Sequence, residues 1–128
     1  MNTQCAMVLT LLAGVAIGAG AVQGLHAQAK PPTYVVTETD ITDMNSYAKD
    51  YVPLVQASIR AAGGAIVAAG QNITVFEGAP PKSRVAISRF DSLEQVKAWR
   101  NSTQYKEARK IGDRYATYRS FAIEGVAQ

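Results

Sequence analysis

Apolar and polar positions after residue 30 alternate in ways that predict strands and helices in turn. Residues 34–39 are rich in β-branched and aromatic side chains, which is typical of a strand. Asp43, or alternatively Thr42, can cap the helix that follows. The apolar positions of this helix recur at helical spacing, and they are Met44, Tyr47, Ala48, Tyr51, Val55, Ile59 and Ala62.

Pro53 falls inside this predicted helix. Because proline has no backbone N–H, the bond to the carbonyl of Lys49 is lost, and we expect a kink at this point. The pair Gly63-Gly64 is expected to end the helix.

Four more strands are predicted further along the chain, at residues 65–69, 73–77, 83–90 and 118–124. A turn at residues 70–72 would join the first two of them as a hairpin. Residues 78–82 form a glycine- and proline-containing loop before the third.

Two helices are predicted between the last two strands. Asp91 or Ser92 can cap the first, with Glu94 placed to complete a capping box. Its apolar face consists of Leu93, Val96 and Trp99. Ser102 or Thr103 can cap the second helix, which carries Tyr105, Ala108, Ile111 and Tyr115.

The resulting element order is β-α-β-(short β)-β-α-α-β. Two βαβ units in series predict an α+β, ferredoxin-like split βαβ fold with an antiparallel sheet. Right-handed crossovers would place the helices on one face of that sheet. Both sides of the predicted strands carry apolar residues, so the face without helices is apolar as well. The opposed sets are Tyr34 and Val36 against Val35, Val85 and Ile87 against Ala86 and Phe90, and Phe121 and Ile123 against Tyr118 and Ala122. We therefore expect a homodimer that covers this second face.

The first 29 residues have a different character. They contain no charged side chain, are rich in small apolar residues and end in Ala27-Gln28-Ala29. This pattern is typical of a cleaved signal peptide of the Sec type, which predicts a periplasmic or secreted protein with one domain at residues 30–128. The alternative is an uncleaved membrane anchor, because the apolar stretch approaches the roughly 20 residues that span a bilayer. Membrane contact is expected only in that case.

Charge and composition exclude several classes of protein. The net charge is only +3, and the basic residues of the last predicted helix are interspersed with Glu107 and Asp113, so no nucleic-acid partner is expected. The only cysteine, Cys5, and the only histidine, His26, lie in the predicted signal peptide. The mature chain therefore cannot build a Cys-His or Ser-His-Asp site, and we expect no metal and no cofactor.

The chain resembles a known family, domain of unknown function 1330, over residues 34–125. The resemblance rests on a strand-ending Phe90, on Ser92 and Glu94 at a helix start, on Ala98-Trp99, and on Ser102 followed by Tyr105. It is supported by Thr42-Asp43 with Tyr47, by Gly63-Gly64 and by Glu77-Gly78. Departures from the family pattern are Met44, Thr103-Gln104, and Gly112 where many relatives carry arginine.

The resemblance implies a dimeric α/β barrel with no assigned activity, within a superfamily that includes cofactor-independent monooxygenases and isomerases. It also implies a pocket between the first helix and the sheet. Our candidate ligand-binding residues there are Tyr47, Tyr51, Arg89, Tyr105, Tyr118 and Arg119. The rings would stack on a flat ligand while an arginine held a carboxylate. The alternative is that the aromatic rings are core residues and that the arginines pair with Glu38 or Asp40.

Three hypotheses for the function follow. The favoured one is an exported binding module for a small, partly apolar ligand. The second is a cofactor-independent isomerase or monooxygenase-like enzyme, in which a tyrosine or carboxylate would serve as general acid or base. The third is a structural or assembly protein without a pocket. A paired carboxylate and tyrosine in a pocket would favour the enzyme, and a filled interior would favour the third.

Overall fold

The structure, a computed structural model, describes residues 30–127. The predicted signal peptide at residues 1–29 lies outside the described residues. Within them, four strands form one antiparallel sheet in the order β2-β3-β1-β4. The strands are β1 (Thr33–Ile41), β2 (Ala65–Gly70), β3 (Arg84–Phe90) and β4 (Ala116–Glu124). This order is that of the ferredoxin-like α+β fold, as predicted.

Three helices pack against one face of this sheet. Helix α1 runs through residues 44–61 as three segments, Met44–Ser46, Tyr47–Tyr51 and Val52–Ala61. Helices α2 (Leu93–Asn101) and α3 (Thr103–Gly112) follow β3. The core between helices and sheet includes Val35, Ile59, Phe90, Val96, Trp99 and Tyr105. None of the helices in residues 30–127 is both long and apolar enough to cross a membrane.

The helix starts agree with the sequence in three places. Side-chain oxygens of Asp43, Ser92 and Ser102 each accept a hydrogen bond from the backbone amide three residues later. The capping box predicted with Glu94 is wrong. Because Ser92 is the cap, the third helical residue is Gln95, and its side-chain oxygen accepts from the amide of Asp91 at 2.8 Å. Leu93, expected on the apolar face of α2, is largely exposed.

Pro53 is accommodated by a change of helix type. The segment Tyr47–Tyr51 is a π turn, in which the amide of Val52 donates to the carbonyl of Tyr47, five residues back. Pro53 then occupies the first turn of the regular segment, where its missing N–H is tolerated. The irregularity expected at the proline is therefore a π turn, and it carries two buried rings, Tyr47 and Tyr51. Such turns are frequent at functional sites.

The strand predicted at residues 73–77 is absent, and that prediction is wrong. Residues 71–83 form an exposed connection between β2 and β3, with the side chain of Phe76 92% exposed. Both sides of β3 are occupied, because β2 and β1 pair with it. The predicted hairpin would use the outer side of β2, which is free because β2 is an edge strand, but residues 71–83 form no ladder there. β-branched residues favour strands where they fit a half-buried surface, and residues 71–80 are exposed throughout.

The helix-free face of the sheet is apolar, as the strand alternation predicts. Val36, Ile87, Phe121 and Ile123 lie on this face, and the last two are 45% and 58% exposed. In the register of β1 with β4, Glu38 lies opposite Arg119 at one end of this apolar patch. A face of this composition is typical of a surface that packs against a partner.

Candidate functional site

A cavity of about 50 Å³ lies between the helices and the sheet. Its walls come from all four strands on the sheet side and from α1, α2 and α3 on the other. Aromatic side chains dominate the walls, and the lining contains no aspartate, glutamate, histidine or cysteine. The aromatic lining residues are Tyr47, Tyr51, Trp99, Tyr105 and Tyr118.

Three of these tyrosines form a row of contacting rings. The ring centroids of Tyr47 and Tyr51 are 5.1 Å apart, and those of Tyr51 and Tyr118 are 5.9 Å apart. A guanidinium group lies over each end of the row: Arg84 is 5.7 Å from the centroid of Tyr47, and Arg109 is 3.9 Å from that of Tyr118. Both spacings are within the range of cation–π attraction.

Gly112 allows this row to form. A Cβ atom at this position would lie 2.5 Å from the hydroxyl of Tyr118 and 2.7 Å from ring carbons of Tyr51. Tyr51 is buried there with Tyr47, Ala108 and Ala116, and the partly buried Tyr118 packs against this group. The departure from the family pattern at position 112 is therefore tied to the aromatic wall of the cavity.

Tyr105 is held by two cations. Its hydroxyl oxygen accepts hydrogen bonds from the guanidinium of Arg100 and, at 2.8 Å, from that of Arg109. Arg109 also donates to Asp113 at 2.9 Å, which compensates its charge. Burial opposes the charge of Arg109, but its hydrogen bonds to Tyr105 and Asp113 raise its pKa above the ordinary value.

Two buried hydroxyl groups at the cavity have no hydrogen-bond partner among the described residues, namely those of Thr39 and Tyr118. Leaving such a group unpaired costs roughly 1–3 kcal/mol, so each marks a place where a ligand or water can bind. Burial raises the pKa of Tyr118 and of Tyr51 well above the ordinary value of 10.0. Both phenols therefore stay protonated near neutral pH and can donate.

Trp99 belongs to the core and to the cavity wall at once. Its side chain is 4% exposed, and its centroid lies 4.5 Å from that of Tyr105 and 5.3 Å from that of Phe90. The indole N–H donates to the hydroxyl of Ser58 at 3.0 Å, which in turn donates to the carbonyl of Val55. All polar atoms of this group are satisfied, so Trp99 is fixed in place.

Four of the six predicted site residues meet at this cavity: Tyr47, Tyr51, Tyr105 and Tyr118. The structure does not bring Arg89 or Arg119 to it. Arg119 forms an ion pair with Glu38, one of the partners considered above, and the exposed Arg89 lies 3.6 Å from Asp91.

Two arginines at the cavity, Arg84 and Arg109, are absent from the sequence-based set. Both follow from spacing: Arg109 lies one helical turn after Tyr105, and Arg84 shares a strand face with Ala86 and Ser88. Among residues 30–127, no group of three or more His, Cys, Asp or Glu side chains is arranged to hold a metal ion.

Similar proteins share this fold. A crystal structure of a methylated protein of unknown function from Rhodopseudomonas palustris aligns with a TM-score of 0.63 and 16% identity, covering 77% of this chain and 83% of that one. SnoaB, a cofactor-independent oxygenase from Streptomyces nogalater, aligns with a TM-score of 0.57 and 9% identity, over 77% of this chain and 96% of its own.

A hypothetical protein from Arabidopsis thaliana aligns with a TM-score of 0.57 and 13% identity, over 78% of this chain and 93% of its own. At these identities the likeness is one of fold. No curated protein matches the sequence. The model of one family, the domain of unknown function 1330, matches residues 32–126, and the chain belongs to that family.

Proposed function

We propose that the protein is an exported, homodimeric binding module that holds a small, partly apolar ligand in the cavity between its helices and its sheet. The observation that carries this proposal is a pair of buried hydroxyls, on Thr39 and Tyr118, that have no hydrogen-bond partner among residues 30–127. They lie in a cavity that aromatic and aliphatic side chains line together with two arginines and a few neutral polar side chains. A ligand with one polar end would satisfy both hydroxyls and cover the apolar wall.

Binding is favoured over catalysis because the cavity offers no base. Its lining contains no carboxylate, imidazole or thiol, and burial raises the pKa of Tyr51 and Tyr118. A cofactor-independent isomerase or oxygenase remains the second candidate, supported by the shared fold with SnoaB. An assembly protein with a filled interior is the least supported, because the core contains a cavity.

The ligand test uses Trp99, the only tryptophan of the chain, as a built-in probe at the cavity wall. A library of small polar and apolar compounds is screened by the shift of tryptophan fluorescence. Hits are expected to lose their effect in Ala86→Leu, which fills the cavity, and to keep it in Ala122→Leu, an identical change on exposed β4. Hits that Ala86→Leu leaves unchanged, or no hits at all, would contradict the proposal.

The homodimer is proposed from the helix-free face of the sheet, where Phe121 and Ile123 are about half exposed. Stable interfaces bury on the order of 1,600 Å² in total, which an apolar sheet face can supply. Light scattering is expected to give a dimer for the wild type and a monomer for Phe121→Asp. Leu54→Asp, an equally exposed apolar position on α1, is the control and should stay dimeric. A monomeric wild type would contradict the dimer.

Export is proposed from the charge-free segment that ends at Ala27-Gln28-Ala29. The intact mass of the protein isolated from its native cell is expected to correspond to a chain that begins near Lys30. A mass that includes residues 1–27 would contradict cleavage and leave the anchor as the alternative.

A further inference from the structure

We infer that the ligand of this cavity is a short-chain monocarboxylate whose charged end binds Arg84 and whose aliphatic end enters the cavity. The inference rests on the proposed function and names the class of ligand. It follows from three features of the lining: its uncompensated positive charge, its surplus of hydrogen-bond donors and its volume.

The positive charge is that of Arg84, at the start of β3. This residue is half-buried against the ring of Tyr47, and among residues 30–127 it has no carboxylate within 4.0 Å. Arg109, the other cation of the lining, is compensated by Asp113. Because the lining contains no acidic residue, the cavity has one cation in excess, which one anionic group on a ligand would neutralise.

The donors are the hydroxyls of Thr39, Tyr105 and Tyr118. Those of Thr39 and Tyr118 have no hydrogen-bond partner within residues 30–127. The oxygen of Tyr105 already accepts from two guanidinium groups, so its O–H remains to donate. A carboxylate is acceptor-only and has about four lone-pair positions, and charge-assisted hydrogen bonds are roughly twice as strong as neutral ones. This set of donors matches a carboxylate better than an amide or an amine.

The volume limits the rest of the molecule. A cavity of about 150 Å³ is known to bind benzene, and this one holds about 50 Å³. The tyrosine rings that would stack on a flat ligand already contact each other, at interplanar angles of 49° and 60°. Aliphatic side chains, among them Val55, Ile59 and Ile66, line the remaining wall. The space therefore suits an alkyl chain of about two to four carbons rather than an aromatic ring.

The experiment titrates the full-length protein with acetate, propionate, butyrate and benzoate, with propionamide as the neutral match of propionate and inorganic phosphate as a second anion. Trp99 fluorescence at constant ionic strength is the readout. Propionate or butyrate is expected to bind most tightly, and propionamide about tenfold or more weakly. Phosphate is expected to leave the signal unchanged.

Two variants of arginines on β3 test whether Arg84 is the positive charge that binds the carboxylate. Arg84→Gln is expected to weaken propionate binding about tenfold or more, and Arg89→Gln, which removes an exposed arginine of β3, should leave it unchanged. The comparison of propionate with propionamide in the wild type holds even if Arg84→Gln does not fold.

Equal binding of propionamide, or binding of phosphate, would overturn the monocarboxylate and leave the ligand cavity standing. Tighter binding of benzoate than of butyrate would overturn the size limit on the ligand, and it too would leave the ligand cavity standing. If none of these compounds binds while a different compound binds in the cavity, this inference fails alone. If nothing binds at all, the proposed function fails with it.

Discussion

The guanidinium of Arg109 lies 3.9 Å from the centroid of the Tyr118 ring, on the side of the ring row away from Arg84. This contact fixes the ring whose hydroxyl has no partner in the core. The cavity thus combines an aromatic wall with buried polar atoms that have no partner among residues 30–127, and the proposed binding function rests on this combination.

Replacing Tyr118 with phenylalanine is expected to separate stability from binding. The change removes a buried hydroxyl that has no partner, so the free energy of unfolding should stay the same or rise by about 1 kcal/mol. Binding of any polar ligand should weaken. Urea unfolding measures the first and Trp99 fluorescence the second. The matched control is Tyr115→Phe, whose exposed hydroxyl donates to Asp50 at 3.4 Å; a comparable loss of binding in both variants would speak against a role for Tyr118.

Gly112→Ala is expected to destabilise the protein by about 1–3 kcal/mol through overpacking against Tyr51 and Tyr118. Alanine is the better helix former by about 1 kcal/mol, so any loss of stability means that the steric conflict exceeds this gain. The double variant Gly112→Ala/Tyr118→Phe should recover part of the loss, because the contact at 2.5 Å is removed. Chemical unfolding of all three variants is the measurement, and strict additivity would contradict the proposed contact.

Much of this arrangement follows from the sequence, and the failures have physical causes. Helix caps at Asp43, Ser92 and Ser102 are local, since a side chain bonds an amide three residues away, and the sequence predicts all three. The strand expected at residues 73–77 does not form, although the outer side of β2 is free: β-branched residues favour strands on half-buried surfaces, and residues 71–80 are exposed throughout.

The residues of the candidate site could also be predicted only in part. Tyr47, Tyr51 and Tyr105 line the cavity because aromatic rings at helical spacing turn towards the sheet, and Tyr118 reaches it from β4. The prediction for the arginines is wrong: the sequence predicts Arg89 and Arg119 at the cavity, and the structure has Arg84 and Arg109 there. Successive residues of a strand point to opposite faces, so Arg119 cannot share the cavity face with Tyr118, nor Arg89 with Ser88. On the opposite face Arg119 pairs with Glu38, its neighbour across the sheet.

Trp99→Ala is expected to lower the free energy of unfolding by about 3–5 kcal/mol, as for other large aromatic truncations in cores. The indole packs on Phe90 and Tyr105, and its N–H bonds Ser58. Trp99→Phe should cost much less, since the ring contacts are partly kept. Circular-dichroism melting of the two variants is the measurement. A melting temperature of Trp99→Ala close to that of the wild type would contradict a core role.

The pair of Glu38 and Arg119 predicts a loss of stability in acid. The hydrogen bond from Arg119, followed by that from the backbone amide of Lys82, lowers the pKa of Glu38 below its ordinary value of 4.5. Above that value the carboxylate is ionised in both the folded and the unfolded state, and the ion pair contributes fully to the free energy of unfolding. As the pH falls below 4.5 and through the folded-state pKa, the contribution is lost.

Urea unfolding between about pH 3 and pH 6 should therefore show a steeper decline for the wild type than for Glu38→Gln. Arg119→Gln removes the partner of Glu38, so in this variant too the free energy of unfolding should decline less steeply as the pH falls. Identical pH dependence in all three proteins would show that this pair does not stabilise the folded state.

A crystal structure of the full-length protein soaked with bromopropionate tests most directly whether the cavity between helices and sheet is a carboxylate site. Bromine scatters anomalously, so its position is found without assumptions about the ligand. We predict a bromine peak inside the cavity, with the carboxylate bonded to Arg84 and to the hydroxyl of Thr39 or Tyr118. A peak only on the outer surface or on the helix-free face of the sheet, with the cavity unchanged, would contradict it.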